Sequence, residues 1–485
     1  MLHNFLQQIG SRALGTVASV VTVSVTTRYL GPSSYGALTT AAMFVALWTS
    51  LTELGVGQVI VRRVMANTGD LERLIRINTG MSVAYCLPLS AITAASGALI
   101  YRNDTDIVVM VLIVSVSLLL TTVSSCFTPI FLITARFGAM ALSDLLSRCA
   151  SLGVTMLLVH FHAGIVWFAV VQLVPPLVVL IIQGAAATRM INWLPQFSLR
   201  ESVALVREAL PLTAMLIIGV LYWRADGVIL SLLSTTDQVG IYGLAYTLTF
   251  TLTALSAFFL SSTLSTMVHL FPRDPSGYAR FTARSMESML FAGGVIAVVG
   301  VILANPIVDL VGSTEFIADG GVTVALLSVA VALTFVTGLL SQAMFAAHEQ
   351  SFLARLSFVN LLINIALNVA LVPHYGAIGA GVAMLLTEIS GVVVASWRLS
   401  HRTPYRTPWL FIARLLIPLT VCGVVTEFVR HLPVLLAIAV GVLVYLAVNL
   451  VIGPANAKAI KSLFAKHPDE DQSDDETERN ARQAR

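Results

Sequence analysis

Asp144 and Arg148 stand four residues apart, acid first, inside a long apolar run. On a helix that spacing puts both side chains on one face, in the order that favours an ion pair. Arg224 and Asp226 are only two apart, so a helix turns them to different faces, and one of them is expected to face a cavity. Glu53 and Glu388 sit alone among apolar residues. With Asp226 they are the candidates for coupling to a proton or another cation; the plainer use of such a carboxyl is a hydrogen bond to a neighbouring helix. Asn364 and Asn368, again four apart, make a polar stripe whose ordinary role is hydrogen bonding between helices.

The arginines invite two readings. Arg12 and Arg28 bracket one apolar stretch and could snorkel to opposite interfaces. Alternatively Arg12, Arg28, Arg148 and Arg224 line a cationic cavity for a phosphate or diphosphate, because a guanidinium fork gives two hydrogen bonds to one anion. His160 and His162 are too few for a metal site, and no metal or other cofactor is expected. Cys86, Cys126, Cys149 and Cys422 are scattered through apolar segments as small buried hydrophobes. The only lysines are Lys458, Lys461 and Lys466, and no GxxxxGK[ST] loop exists, which excludes ATP-driven pumping by this chain. HExxH and GxSxG motifs are missing too, and the loops leave no room for an extramembrane catalytic domain.

These side chains must be positioned by helices in a membrane. Hydrophobic residues make up 57% of the 485 positions and charged residues 11%, against roughly 45–50% and about 25% in soluble domains. A helix needs about 20 apolar residues to cross the hydrocarbon core. The chain supplies such stretches almost continuously from Ser11 to Gly453, without the period-two alternation of a membrane barrel. An all-α polytopic membrane protein of about fourteen transmembrane helices is expected, the first near 11–29, the second near 37–60 and the last near 433–453.

Charge sets the expected orientation. With a cytoplasmic N-terminus, even-numbered connections carry Arg62, Arg63, Arg73, Arg76, Arg200, Arg207, Arg402 and Arg406 among others, and odd-numbered ones only Arg28, Arg102 and Arg430. The positive-inside rule then places both termini in the cytoplasm. Compared with itself, the chain sets RYLGPSSYGAL at 28–38 opposite STTDQVGIYGLAY at 234–246, LVHFHAGI at 158–165 opposite LVPHYGAI at 371–378, and the turn at 134–136 opposite that at 346–348. Matches in one order argue for two parallel six-helix repeats. The expected division is an N-terminal lobe at 1–190, a C-terminal lobe at 200–400, a terminal helix pair at 405–453 and a charged, disordered cytoplasmic tail at 454–485.

RYLGPSSYGAL, ELGVGQVIVRR, ADGVILSLLSTTDQVGIYGLAYTL and NIALNVALVPHYGAIGAGVA together resemble the polysaccharide-export flippases of the multidrug/oligosaccharidyl-lipid/polysaccharide transporter superfamily. The resemblance covers nearly the whole chain. It implies alternating access, in which a polyprenyl-(di)phosphate-linked oligosaccharide enters a cationic cavity from the cytoplasm and leaves outside. It implies as partners a polyprenyl-linked glycan, membrane lipids and polysaccharide-assembly proteins, with no nucleic acid, and a place in the cytoplasmic membrane. Arginines of the first, second and seventh helices are typical cavity residues there, and Arg12, Arg28 and Arg224 fall in or beside matching spans. Glu53 stands where an aspartate is usual, and the eighth helix has no arginine. Drug or metabolite antiport coupled to a cation is the competing expectation. A membrane-embedded glycan polymerase or acyltransferase is a third, and would need a long outer loop or a buried catalytic His, neither of which is evident.

Overall fold

The computed structural model describes residues 2–136 and 138–454, with the backbone alone at 2–13, 50, 53, 214 and 215. The side chains of Arg12 and Glu53 and the tail beyond 454 lie outside the described residues. Within them the regular structure is helical throughout, with no strand. The first half holds α1 (Leu2–Trp48), α2 (Ser50–Glu53), α3 (Val56–Met65), α4 (Leu71–Ile100), α5 (Thr105–Ser125), α6 (Thr128–Ile133), α7 (Gly138–His160), α8 (Ile165–Val171) and α9 (Val174–Thr188). The second holds α10 (Leu199–Leu233), α11 (Thr236–Phe250), α12 (Thr253–Arg273), α13 (Pro275–Ile302), α14 (Ala304–Val311), α15 (Ile317–Ala346) and α16 (Gln350–Arg402). The terminal pair is α17 (Trp409–Phe428) and α18 (Val434–Val451).

Local sequence sets where these rods begin and bend. Asp70, Asp104 and Asp274 cap α4, α5 and α13, their carboxylates accepting from the Arg73, Ile107 and Gly277 N–H groups at 2.9, 3.1 and 2.8 Å. Such caps contribute about 1 kcal/mol each. The long α1 bends at Gly31 (φ 71°) just before Pro32, and α16 bends at Gly376 (φ 53°) after Pro373. Each bend joins two helical segments in one rod. Eleven helical segments among the described residues are long and apolar enough to cross a membrane, α16 counted once. The chain is a multi-pass membrane protein, and large apolar side chains such as Leu99, Trp167 and Leu435 face outward as a lipid surround requires.

The turns that the sequence sets opposite one another share an uncommon backbone. Ala135 and His348 both take positive φ (52° and 61°), as do His162 and Gly376 (51° and 53°). Three of these are not glycine, so the turns themselves impose the conformation.

Helix α1 packs against α5 and α7 of the first half and against α10, α11 and α14 of the second. One core, around Tyr242, Phe316 and Leu327, joins α11 and α15 to Tyr35 and Met43 of α1. Another, around Tyr278, Phe335 and Tyr405, lies wholly in the second half. The pair α17–α18 rests on α13 through Cys422, Tyr445 and Val299.

Candidate functional site

The two halves meet where the second segment of α1 crosses α11. A Cβ on Gly36 would stand 1.8 Å from the Thr236 carbonyl oxygen, and one on Gly240 would stand 2.3 Å from that of Pro32. Only hydrogen fits at either place, so the Tyr-Gly segments that resemble each other in sequence are joined backbone to backbone. Arg28 reinforces this crossing: its Nη2 donates to the carbonyls of Asp309 and Leu310 at 2.9 and 2.7 Å, and Thr27 Oγ1 donates to that of Val311 at 3.0 Å. These are the last carbonyls of α14, which have no partner in their own helix and favour a cation. Arg28, itself exposed, thus bonds the two halves to each other. Within the second half, Gln238 of α11 donates to Asp319 at 2.7 Å and accepts from the Ala377 N–H at 2.8 Å beside the bend in α16.

Helix α10 presents Tyr222, Arg224 and Asp226 to three different partners. Asp226 is buried, accepting from the Tyr242 hydroxyl and from the Gly227 N–H at 2.8 Å. Arg224 lies with its guanidinium 5.4 Å from the centre of the Tyr246 ring, which in turn stacks on Phe250 at 4.1 Å. Among the described residues Arg224 has no ion pair and no hydrogen bond. The two-residue spacing thus separates Arg224 and Asp226 as expected, with the acid in the core and the arginine half-buried. Tyr222 donates to Glu388 Oε1 at 2.8 Å, and Thr337 Oγ1 donates to Oε2 at 2.9 Å. Glu388 is only 1% exposed. It lines a cavity of about 230 Å³ with Tyr222, Thr337, Ser341, Ser357 and Asn360.

The remaining candidates are dispersed. Arg148 Nε holds Asp144 at 3.2 and 3.3 Å, the pair expected from their spacing, and its Nη1 donates to Ser19 of α1 at 2.8 Å. Ser19 and Arg28 are nine residues apart on α1, about 13 Å at 1.5 Å per residue, so Arg148 and Arg28 act at different depths. Asn364 and Asn368 bond to each other along α16: Asn368 Nδ2 donates to the Asn364 carbonyl and Oδ1 at 2.9 and 3.1 Å. Asn360 links the two segments of α16 across its bend, accepting from Ser390 at 3.1 Å. Asn364 Nδ2 and Asn368 Oδ1 remain buried without a partner. Among the described residues no cluster of His, Cys, Asp and Glu could hold a metal ion.

One polar recess has no counterpart in the sequence reading. The break between α2 and α3, where Leu54 and Gly55 take positive φ, lies beside the break between α5 and α6. Between them is a cavity of about 290 Å³ lined by Thr52, Gln58, Asn78, Ser82, Ser125 and Thr128. Irregular backbone at membrane depth persists where it lines such a space. The signal was the Gly55-Val-Gly57 step in an otherwise apolar span.

With this geometry in place, comparison with known proteins adds family and fold. The family model described as polysaccharide biosynthesis protein matches residues 1–271. A probable flippase, AglR of Haloferax volcanii, is 30% identical over 181 residues, which are 36% of this chain and 37% of that protein, so the chain matches little more than a third of that relative's length. Among solved structures, the lipid II flippase MurJ in an inward closed conformation superposes with TM-score 0.75 at 15% identity, over 93% of this chain and 98% of that one. An inward-facing multidrug resistance MATE transporter follows at TM-score 0.66 and 14% identity, over 81% of this chain and 95% of that one. At these identities the likeness establishes the fold alone.

Proposed function

We propose that this chain, which belongs to the family of polysaccharide biosynthesis proteins, is a flippase. Its cargo is a polyprenyl-(di)phosphate-linked oligosaccharide, carried across the cytoplasmic membrane by alternating access for cell-surface polysaccharide synthesis. One observation carries this reading: Arg224, within a membrane-spanning segment, has the face of Tyr246 as its partner and neither an ion pair nor a hydrogen bond among the described residues, the acid within its electrostatic reach, Asp226, being bonded to Tyr242. An arginine at that depth is costly without a counter-charge, and the substrate diphosphate supplies one with matching fork geometry. The flippase descriptions borne by the Haloferax relative and by the MurJ structure support the same reading.

The moving parts are the lobes at 1–190 and 200–400, with the pair at 405–453 and the tail at 454–485 as appendages, both termini being cytoplasmic. The bonds of Arg28 and Thr27 to the end of α14 close the space between the lobes at one end, and they must break for it to open there. Arg12, Arg28 and Arg148 are further phosphate ligands. Arg148 would exchange Asp144 and Ser19 for the anion. The partners are the lipid-linked glycan, membrane lipids and polysaccharide-assembly proteins. No bond of the substrate is made or broken, so the reading requires no catalytic residue.

A second reading, cation-coupled antiport of a drug or metabolite, draws on Glu388 in its hydroxyl-lined cavity and on the MATE-like fold. Glu388, Asp226 and Glu53 are the coupling candidates under either reading, and the Asn364–Asn368 stripe lies on the same helix as Glu388. Depletion of the protein, followed by analysis of lipid-linked sugars in inverted and right-side-out vesicles, separates the two. The flippase reading expects intermediates to accumulate on the cytoplasmic face. Unchanged lipid-linked sugars would sink it.

A further inference from the structure

A recess between α13, α15, α16 and the start of α17 has a volume of about 510 Å³. Its walls are apolar, formed by Leu290, Val336, Val393, Trp397 and Trp409 among others. Lining positions on α16 run from Val392 to Ser400, so the slot is about 12 Å long at 1.5 Å per residue. In a bilayer such a slot admits an acyl chain. Its mouth, however, is not indifferent to what the chain carries.

The loop between α16 and α17 places Arg406 there. Its Nη1 donates to the Ser400 carbonyl at 3.2 Å, and no carboxylate among the described residues pairs with it. The neighbouring cations are already engaged: Arg398 and Arg402 share Glu349, at 2.7 and 3.5 Å. Two guanidiniums on one carboxylate leave a positive charge over, and Arg406 adds a second that no described carboxylate answers. The Tyr405 side chain also borders the recess, fully buried beside Thr407. Trp397 and Trp409, 56% and 72% exposed, flank the slot with rings of the kind that settle at headgroup level.

We infer that this recess holds one anionic phospholipid of the surrounding leaflet, its phosphate on Arg406 and an acyl chain along α16. A zwitterionic lipid brings its own ammonium beside the guanidinium and is disfavoured, whereas a net negative headgroup gains from the whole rim. None of the lining residues belongs to α1, α10 or α11, so this lipid is a fixed component and not the cargo. The inference stands independently of the flippase reading, since it requires only a membrane.

Native mass spectrometry of the full-length protein with equal amounts of phosphatidylglycerol and phosphatidylcholine of matched chains tests it. One phosphatidylglycerol per chain is expected to be retained in preference to phosphatidylcholine. Arg406→Gln is expected to lower that retention about fivefold, the discrimination that one basic side chain gives at a membrane surface. Val393→Trp, which fills the slot, is expected to lower retention of both lipids. Arg430→Ala, in the loop between α17 and α18, is expected to leave both unchanged. Equal retention of the two lipids by the unaltered protein overturns the proposal, as does undiminished phosphatidylglycerol binding by Arg406→Gln. Stoichiometric displacement of phosphatidylglycerol by a polyprenyl phosphate would assign the recess to the cargo and overturns it too.

Discussion

The Tyr222 hydroxyl donates to Glu388 at 2.8 Å, joining α10 to the second segment of α16 inside a hydroxyl-lined cavity. Tyr222→Phe keeps the ring and removes that donor, leaving Thr337 as the partner of a buried carboxyl. Losing one such bond is expected to cost about 1–3 kcal/mol, seen as a lower midpoint of thermal unfolding in detergent. Glu388→Gln, whose amide oxygen still accepts from one of the two hydroxyls while its NH2 can donate to the oxygen of the other, is expected to unfold near the unaltered protein while losing any dependence of transport on an ion gradient. A gradient dependence that survives in Glu388→Gln removes Glu388 from coupling.

The crossing of α1 and α11 makes an equally sharp demand. Gly36→Ala puts a methyl group 1.8 Å from a backbone oxygen, and backbone cannot turn aside as a flexible side chain can. Overpacking of this kind costs about 1–3 kcal/mol or more. Folded yield of Gly36→Ala and Gly240→Ala by size-exclusion chromatography is expected to fall well below that of Gly153→Ala, where nothing lies within 4 Å of the added carbon. Equal yields would show that the helices can separate here without penalty.

Arg28 holds the end of α14 by two charge-assisted bonds. Arg28→Ala leaves those carbonyls without their partner, and the crossing is expected to open more often at that end. Cysteines placed at Ser33 and Thr236, whose hydroxyl oxygens are 3.5 Å apart, report on this. Their cross-linking rate is expected to drop severalfold in Arg28→Ala, by roughly the 1.5–3 kcal/mol of a hydrogen bond to a charged group reduced by exposure to water. An unchanged rate removes Arg28 from the closure.

At the other end of α10, Arg63 and Arg62 of α3 both bond to Glu208, Arg63 Nε at 2.9 Å. Arg63 first, then Arg62, hold the Glu208 carboxyl below its ordinary 4.5. A depressed folded-state value adds stability that is present above the ordinary value and disappears as pH falls through the folded one. Glu208→Gln is therefore expected to lower the unfolding midpoint slightly at pH 7 and to match the unaltered protein well below pH 4.5. A difference that persists in acid would mean that the carboxylate charge is not what stabilises.

The membrane class and the helical runs were legible because apolar length and turn residues are local properties. The Asp144–Arg148 pair was legible for the same reason, since helical spacing alone brings the two together. What spacing could not reveal were the partners of Arg28, Tyr222 and Gln238, which come from helices far away in the chain. Asn364 and Asn368 show the opposite case. Their four-residue spacing suggested a stripe for a neighbouring helix, and the same spacing lets them bond to each other. Arg12 and Glu53 lie where side chains are not described, so their place in a cavity stands as a proposal.

The central claim is that Arg224 meets the phosphate of a lipid-linked glycan. Flipping of a fluorescent polyprenyl-diphosphate oligosaccharide by the purified protein in liposomes tests it most directly. The account expects Arg224→Ala to reduce the rate by at least about tenfold, the loss of one charge-assisted bond, and Arg430→Ala, paired with Glu427 at 3.4 Å in a loop, to leave it unchanged. Equal rates for Arg224→Ala and the unaltered protein would contradict it.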